Sequence, residues 1–473
     1  MYEFGNAGNG KKGNMDRNGG IYTRALFGHN IRDNPVPEET ADRRRGPFAV
    51  FQDPVSGKVI GLNKESLSLG CLAVAAPGGG KTNLFDMILS RLVTDMDNQD
   101  VIIIFDTKGD YLAEFGSRIP EEERVVIGSG WEYRKITSYH NIFAEIMLRG
   151  VDGKLVYTPD SDVDALEIAE LFFQQMHSET QPVFPAMAEQ IVAGIIIYFM
   201  RRYWREDQSR LNNQELIHFF QSRTTEELKA VFEEDYMEDY KSCISYISGK
   251  GTQTQGVNSY IGAILRKMFI GPFAMADPAR EFSMMPILTE RKRTVVFIEY
   301  DLKRGNALAP MYGILIDQAL KNALGGRGDT RKNVYLLLDE WALLPKLKYA
   351  ADSLSFGRSQ GVKVMAGIQN ISAIEDLYGD AGARNILAGF QNIFAFRITD
   401  YHTRRFLVER LGENYQNISF SAQNESANIQ YTGHTLEEWD LMELELGQAA
   451  VVLAGEAPFL FRFPRYCAPP GAS

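Results

Sequence analysis

The sequence has few cysteines and no long apolar segment. Its three cysteines, Cys71, Cys243 and Cys467, lie far apart and form no C-x-x-C pair, so neither a disulfide framework nor a zinc site is indicated. The longest apolar run, residues 191–200, is about half the length needed to span a bilayer, and we predict a buried helix there. The first residues are rich in glycine and asparagine and lack the apolar core of a signal peptide. The sequence therefore predicts a cytoplasmic protein in a reducing compartment.

Patterns typical of metal centres and serine hydrolases are missing as well. The six histidines are dispersed, with no H-E-x-x-H or other metal-ligand spacing. No G-x-S-x-G element accompanies a plausible catalytic triad. The net charge of −11 argues against a surface that coats nucleic acid, although a channel inside an acidic particle can be basic.

The bulk composition is that of a globular chain with more than one domain. A length of 473 residues suggests two or three domains. Apolar residues make up 45% and charged residues 23%, both ordinary values for a folded protein. Residues 1–20 contain six glycines and four asparagines and cannot bury much apolar surface, so we predict a disordered arm there.

A glycine-rich loop at residues 75–82, Ala-Ala-Pro-Gly-Gly-Gly-Lys-Thr, is the most informative motif. It follows an apolar strand-like run at 69–74 and opens an amphipathic stretch at 83–92. A strand, a glycine turn and a helix point backbone N–H groups and the positive helix end at one spot, which suits a triphosphate. Ala75 stands where the usual pattern begins with glycine; a chance Gly-rich turn is the alternative. The predicted nucleotide-binding residues are Pro77, Gly78, Gly79, Gly80, Lys81, Thr82 and Asn83.

Lys81 is predicted to reach the β- and γ-phosphates and Thr82 to hold Mg²⁺. A second carboxylate signature follows the apolar run 334–338, where Asp339 and Glu340 end the strand. Asp339 is predicted to join the Mg²⁺ shell, and Glu340 to orient or deprotonate the attacking water. An Asp-Glu pair at a strand end is common by chance. Together with the loop, however, it predicts an ATP hydrolase with ATP and Mg²⁺ as cofactors.

Two polar residues downstream are candidates for contacts to the transferred phosphate. Gln369 ends an apolar strand next to the predicted carboxylate strand, from which it can reach the γ-phosphate or the water. Arg358 lies in Gly-Arg-Ser-Gln-Gly at a predicted helix end, where it can serve a neighbouring subunit by stabilising transition-state charge. An ordinary surface arginine is the alternative for Arg358. The predicted catalytic residues are thus Lys81, Glu340, Arg358 and Gln369.

The order of predicted elements indicates an α/β fold with a helical insertion. Strand-like runs at 101–106, 293–300 and 334–340 are buried-strand patterns, whereas 155–275 has helical periodicity that we expect to begin at an Asp164–Glu167 capping pair. We therefore predict a doubly wound sheet carrying an all-α domain. The predicted domains are a nucleotide-binding domain, 21–154 and 276–473, and an all-α domain, 155–275.

Several blocks together resemble the type IV secretion coupling proteins, the TraD/TraG-like branch of the FtsK/HerA-type P-loop motor ATPases. They are the loop at 76–82, Phe-Asp-Thr-Lys-Gly-Asp at 105–110, the carboxylates at 337–341, the Arg358 block and Ile368-Gln369; the run from 392 to 412 resembles the last block of that family. The resemblance implies a RecA-like domain with an all-α domain and six subunits around a DNA channel. It also implies that Arg358 acts in trans and that Gln369 senses the γ-phosphate.

The resemblance implies a function and leaves alternatives open. It implies ATP-driven recruitment and translocation of DNA or a relaxase-DNA complex into a secretion or conjugation channel, with candidate substrate contacts at 291–293 and 303–304; a solvated face is the alternative for both. Family members usually begin with transmembrane helices, and none is predicted here, so we expect a membrane-embedded partner protein at the inner face of the membrane. A homo-hexamer is expected when assembled, with a monomer in isolation as the alternative. The other functions are a soluble HerA/FtsK-like translocase or helicase and a nucleotide-gated receptor for secreted proteins.

Overall fold

A computed structural model describes residues 19–28, 49–174, 183–248, 251–325, 332–422 and 425–468. The predicted disordered arm lies outside the described residues, except for Gly19 and Gly20, which begin a strand. In chain order the strands are β1 (Gly19–Gly28), β2 (Ala49–Gln52), β3 (Val59–Leu62), β4 (Cys71–Val74), β5 (Val101–Asp106), β6 (Arg124–Gly128), β7 (Tyr139–His140), β8 (Leu148–Arg149), β9 (Leu155–Val156), β10 (Glu281–Phe282), β11 (Thr294–Glu299), β12 (Val334–Leu338), β13 (Val362–Ile368), β14 (Asn392–Ala395), β15 (Glu413–Ala422), β16 (Glu425–His434), β17 (Gln448–Val452) and β18 (Phe459–Arg462).

The α-helices lie between these strands, and α2 and α5 to α10 lie in the stretches for which helices are predicted. They are α1 (Lys64–Leu67), α2 (Lys81–Thr94), α3 (Asp110–Phe115), α4 (Ile142–Ile146), α5 (Pro159–Phe173), α6 (Val183–Glu206), α7 (Asn213–Ser222), α8 (Thr225–Phe232), α9 (Ile244–Ile247), α10 (Thr252–Met268), α11 (Met284–Glu290), α12 (Gly305–Leu324), α13 (Ala350–Phe356), α14 (Ser372–Ala388), α15 (Tyr401–Leu411) and α16 (Glu438–Glu443).

The chain forms two compact units. Unit 1 comprises residues up to 96, 336–342 and 363 onward, and unit 2 comprises 97–335 and 343–362. In unit 1 the strands lie in the order β18-β17-β14-β4-β13, followed by the Leu336–Leu338 part of β12. Strands β13, β4 and β14 are parallel, while β17 and β18 are antiparallel to their neighbours.

Strand β4 lies at the topological switch point of the sheet in unit 1, between the parallel strands β13 and β14. Its four residues are all buried, as the continuous apolar run predicts for a parallel strand covered on both faces. It pairs with β13 on one side and β14 on the other, so that Val74 lies opposite both Ile368 and Ala395. Ligands of open α/β sheets bind at the carboxyl ends of strands at such a switch point. The glycine-rich loop leaves β4 at that place.

In unit 2, three parallel strands lie in the order β5-β11-β6, and every residue of β5 and β11 is buried. Helices α5 to α10 lie between Pro159 and Met268, which agrees with the predicted helical texture. The apolar run at 191–200 is buried inside α6 as predicted. By length and composition α6 is also the one described helix that could cross a membrane, with 67% of its apolar window buried within the chain.

One local prediction is wrong, and two local features were not predicted. Helix α5 begins at Pro159 with a Thr158–Ser161 capping box, so Asp164 is not at its start; its carboxylate instead accepts from Lys321, 2.7 Å away. Within the stretch of predicted helical periodicity, α8 ends at Phe232 and a 3₁₀ segment follows over Asp235–Cys243. The antiparallel sheet β1-β15-β16 has no counterpart in the sequence-based prediction.

Candidate nucleotide hydrolysis site

The glycine-rich loop has the backbone of an anion site. Gly78 and Gly80 both adopt positive φ, +75° and +122°, a region that side chains with a Cβ rarely adopt. A Cβ on Gly80 would also lie 3.1 Å from a ring carbon of Phe396. Gly80 is the N-cap of α2, and no side chain caps the helix there. The first N–H groups of α2 therefore remain for a ligand, at the positive end of a 14-residue helix.

The loop is fixed to the two strands that flank β4. The N–H of Ala75 donates to the carbonyl of Ile368, 3.2 Å away, and the N–H of Ala76 donates to the carbonyl of Arg397 at 3.0 Å. Among the described residues other than glycine, only Arg291 has positive φ. Ala75 therefore adopts an ordinary backbone conformation, and the methyl group that replaces the usual first glycine is accommodated without strain.

Three of the predicted catalytic side chains meet in unit 1. Nζ of Lys81 lies 2.7 Å from Oε2 of Glu340, and both side chains are nearly buried, at 12% and 10% exposed. Nε2 of Gln369 donates to the same Oε2 atom at 2.9 Å. Residues that lie more than 250 positions apart in sequence thus converge on one carboxylate oxygen. The loop, the carboxylate strand and the strand that ends at Gln369 form one site.

Asp339 is buried, at 2% exposed, directly before this carboxylate. Gly367 on β13 makes the close packing possible: a Cβ there would overlap the carbonyl oxygen of Asp339 and lie 2.6 Å from Cδ of Lys81. Thr82 is the second residue of α2 and is partly exposed. A hydroxyl and a carboxylate are oxygen ligands of the kind that Mg²⁺ takes from proteins. The donors present here therefore fit the predicted metal.

The side chain of Asn83 is bound to the C-terminal segment. Its amide nitrogen donates to the carbonyl of Pro464 at 2.9 Å, and its amide oxygen accepts from the N–H of Tyr466 at 2.7 Å. Both ends of the side chain therefore hold the C-terminal segment against α2. The predicted nucleotide contact of Asn83 would therefore be made by its backbone N–H group.

Arg358 does not join the other catalytic residues within one compact unit. It is exposed, on a 3₁₀ segment Gly357–Gln360 of unit 2, directly after α13. Of the other predicted cationic contacts, Arg291 is 4% exposed. Its guanidinium donates to the carbonyls of Ala323 and Lys332, so Arg291 serves to hold the fold of unit 2 together. Arg293 forms an ion pair with Glu123 at 2.8 Å.

A second cluster, in unit 2, contains residues to which the sequence assigned no role. The buried carboxylate of Asp106 accepts from the N–H groups of Lys108 and Tyr111, at 3.0 and 2.9 Å, so this carboxylate shapes the loop after β5. Glu299 ends β11 opposite Asp106. Burial raises the pKa of Glu299 to about 8, and the hydroxyl of Tyr133 donates to its Oε2 atom at 2.9 Å. The sequence feature that could have indicated this cluster is a carboxylate at the end of each of two apolar strands.

Comparison with known families shows to which family the chain belongs. Residues 56–461 match the family described as the type IV secretion-system coupling protein DNA-binding domain. The chain belongs to this family.

The relatives are consistent with that assignment. VirD4 of Agrobacterium fabrum is 25% identical over 260 residues, which covers 53% of this chain and 37% of VirD4; the chain thus matches little more than a third of this relative. The crystal form of the conjugative coupling protein TrwB that lacks its N-terminal 70 residues has a TM-score of 0.73 at 19% identity, covering 98% of both chains. TrwB in complex with ADP and Mg²⁺ has a TM-score of 0.71 at 19% identity, covering 99% of this chain and 98% of TrwB.

These structures show that the fold is the RecA-like P-loop fold of the coupling protein family, with a mostly parallel central sheet. The family assignment agrees with the chemistry of the site in unit 1. A lysine at an uncapped helix start suits phosphate, and the two carboxylates after β12 suit metal binding and activation of water. The prediction of the family from the sequence is confirmed.

Proposed function

We propose that this coupling protein family member hydrolyses ATP and uses the energy to recruit DNA or a relaxase-DNA complex and move it into a type IV secretion channel. The observation that carries the proposal is that the side chains of Lys81 and Gln369 both contact one carboxylate oxygen of Glu340. This site lies beside an uncapped helix N-terminus at the switch point of a parallel sheet. This combination is what phosphoryl transfer to water requires.

Each residue of the site has a defined task in the proposed reaction. The ammonium group of Lys81 and the backbone N–H groups of 78–83, except that of Gly79, which donates to the carbonyl of Ala76 at 2.9 Å, hold the β- and γ-phosphates of ATP. Thr82 and Asp339 are the protein ligands of Mg²⁺, which neutralises charge on the phosphate oxygens when bound. Glu340 orients and deprotonates the attacking water, and Gln369 contacts the γ-phosphate or that water.

Arg358 completes the site of a neighbouring subunit in this proposal. Arg358 is exposed on unit 2, as a guanidinium group that acts on a neighbouring subunit must be. A guanidinium group supplied by a neighbour stabilises the transition-state charge and couples hydrolysis to assembly. The active form is accordingly a homo-hexamer around a DNA channel. It is cytoplasmic and is held at the inner face of the membrane by a membrane-embedded secretion partner.

The predicted domain limits are also proposed to hold. The all-α domain spans 155–275, a range that contains helices α5 to α10 among the described residues and, at its start, the two-residue strand β9. Residues 21–154 and 276–473 form the nucleotide-binding domain.

A transfer experiment in the source cell tests the proposed function. The natural gene is replaced by one that encodes Lys81→Ala, and DNA transfer to recipient cells is counted. Gly251→Ala is the matched control, because Gly251 has an ordinary φ of −83° and a Cβ there would have no neighbour within 4 Å. We expect transfer to be lost with Lys81→Ala and kept with Gly251→Ala. Normal transfer with Lys81→Ala would contradict the proposal.

A further inference from the structure

Three loops of unit 2 leave neighbouring strands at the same edge of the sheet. Strands β5, β11 and β6 are parallel and in register, so that Glu299 lies opposite both Asp106 and Gly128. The loops that follow begin at Thr107, Tyr300 and Ser129. Because the carboxyl ends of parallel strands meet at one edge, side chains from these loops lie side by side.

Direct contacts hold the loops to one another. Besides the bond from the Tyr133 hydroxyl to Glu299 at 2.9 Å, a guanidinium nitrogen of Arg304 donates to the carbonyl of Ser129 at 3.5 Å. Arg280 donates to the carbonyl of Arg134 at 3.2 Å. A surface held in this way is pre-organised, so that a ligand bound to it costs little ordering of the loops.

The loop after β6 presents a large aromatic ring to solvent. Trp131 is 74% exposed, although the guanidinium carbon of Arg134 lies 3.4 Å from its ring centroid. Arg134 stacks on the ring and fixes its orientation while most of the indole remains in water. Leu302, from the loop after β11, is also exposed at 71%. Exposed apolar surface that is held in place and rimmed by charge is typical of a binding site.

The cations around the ring are not neutralised by ion pairs. Lys108, Arg134, Lys135, Lys303 and Arg304 are all exposed. In the part of the chain that the structure describes, none of them lies within 4.0 Å of a carboxylate oxygen, whereas Arg149, Arg280 and Arg293 of the same unit are all paired. Three acidic side chains, Asp110, Glu132 and Asp301, lie in the same loops. The Asp301 carboxylate accepts from the N–H of Lys303 at 2.8 Å. The balance is a cationic surface on a chain with a net charge of −11.

We propose that this surface, formed by Lys108, Trp131, Arg134, Lys135, Lys303 and Arg304, is a contact site for single-stranded nucleic acid. One base stacks on the exposed Trp131 ring, and the neighbouring phosphates bind the cations. An exposed ring beside unpaired cations is the pattern of single-strand sites, because every base has a face that can stack and every nucleotide carries a phosphate. A duplex hides those faces, so the site favours single strands. The inference rests on the proposed function and identifies where the chain holds its substrate.

The binding of a short oligothymidylate, about 16 nucleotides long, to the full chain tests the stacking. Base stacking on one aromatic side chain corresponds to a change in affinity of about tenfold to a hundredfold. We expect Trp131→Ala to lose this much and Trp131→Phe to keep most of it. Trp439→Ala, at a tryptophan of unit 1 that is 60% exposed, is the matched control and should bind normally. ATP hydrolysis without nucleic acid should be the same in all of them.

An oligomer with abasic sites separates stacking from phosphate binding. The wild-type chain should bind it as weakly as Trp131→Ala binds oligothymidylate, and Trp131→Ala should not discriminate between the two oligomers. Log affinity falls as log salt rises, and each single-strand phosphate contact makes this slope steeper by about 0.7. The double variant Lys303→Ala/Arg304→Ala should therefore make the slope shallower by about 1.4. Arg405→Ala, at an exposed arginine paired with Glu409, should leave the slope unchanged.

The outcomes separate this inference from the proposed function. Unchanged affinity of Trp131→Ala, or an equal loss for abasic and normal oligomers, would overturn the inference while leaving DNA coupling intact. A wild-type chain that binds no nucleic acid at all would overturn both. Binding of an acidic peptide in place of nucleic acid would overturn the inference too. Binding of oligothymidylate or of oligouridylate that weakens in Trp131→Ala supports it, and the ratio of the two affinities identifies the preferred sugar.

Discussion

Lys81 and Glu340 form an ion pair, with Nζ of the lysine 2.7 Å from Oε2 of the glutamate. The same lysine is the residue that we propose to hold the phosphates of ATP, so that a bound nucleotide competes with Glu340 for the ammonium group. In this structure the proposed general base is therefore held by a cation and by the amide of Gln369. Exchange of the lysine from carboxylate to phosphate would free Glu340 at the moment when a substrate is present.

This relationship predicts opposite behaviour for two substitutions. Glu340→Gln should still bind ATP, because the loop and Lys81 are unchanged, while hydrolysis falls by about 10²- to 10⁴-fold with the loss of the base. Lys81→Ala should lose nucleotide affinity itself. Equilibrium binding of a fluorescent ATP analogue, measured beside phosphate release, distinguishes the two. Normal hydrolysis by Glu340→Gln would contradict the role of that residue.

Gly367→Ala should damage the site without a change to any proposed catalytic group. The added methyl group would overlap the carbonyl of Asp339 and press on Lys81, and a shift of about 1 Å at a catalytic group can cost about a hundredfold in rate. We expect a fall in hydrolysis of that order. Circular dichroism should show an intact fold, and Gly251→Ala serves as the control. If Gly367→Ala hydrolyses ATP at the normal rate, the packing of Asp339 against this strand is not needed for catalysis.

The proposed action of Arg358 in trans predicts complementation between variants. Arg358→Ala alone should lose about 10³-fold in hydrolysis, and Lys81→Ala alone should be inactive. In a mixture, an intact nucleotide site can lie beside an intact arginine from the other chain, so part of the activity should return. The measurement is phosphate release across mixing ratios at fixed total protein. Failure of every ratio to exceed the sum of the separate variants would rule out action in trans.

The buried Glu299 carboxyl predicts a pH dependence of stability. Its pKa in the folded chain is about 8, against an ordinary value of 4.5, because burial disfavours the charged form. Between these values the folded state holds a proton that the unfolded state has lost. The free energy of unfolding therefore falls as pH rises, by about 1.4 kcal/mol per pH unit from this group, and this stability is lost as pH passes through the folded pKa.

Glu299→Gln removes that titration while keeping an oxygen that can accept from Tyr133. Urea unfolding from pH 5 to pH 8 should therefore show a shallower loss of stability for Glu299→Gln than for the wild-type chain. Glu233→Gln, at the exposed end of α8, should follow the wild type. Equal slopes for Glu299→Gln and the wild type would mean that Glu299 is already ionised in the folded chain.

Continuous apolar strands and the glycine-rich loop could be predicted from the sequence because both are local patterns. Strand β5 has the predicted limits, and β4 and α2 enclose the loop as expected. The sequence order of Lys81, Glu340 and Gln369 also indicated one site, since strand ends in a parallel sheet share an edge. The role of Gln369 as a sensor of the γ-phosphate was predicted from the family resemblance.

Side-chain contacts over long separations could not be predicted in this way. The side-chain amide of Asn83 is bound to the carbonyl of Pro464, nearly 400 positions away, a contact that no local pattern indicates. Arg291 looked like a surface cation, yet tertiary packing buries it against two backbone carbonyls. Trp131 stood in an unremarkable loop sequence, and only the register of β6 with β11 places it beside the cations of the next loop.

The central claim is that this chain is a DNA-stimulated ATPase whose chemistry depends on Lys81 and Glu340. Phosphate release by the purified chain, without and with single-stranded DNA across a range of protein concentrations, tests it most directly. The account predicts hydrolysis that DNA stimulates, that rises more than linearly with protein concentration and that disappears in Lys81→Ala. Hydrolysis that persists in Lys81→Ala, or that neither DNA nor protein concentration affects, would contradict it.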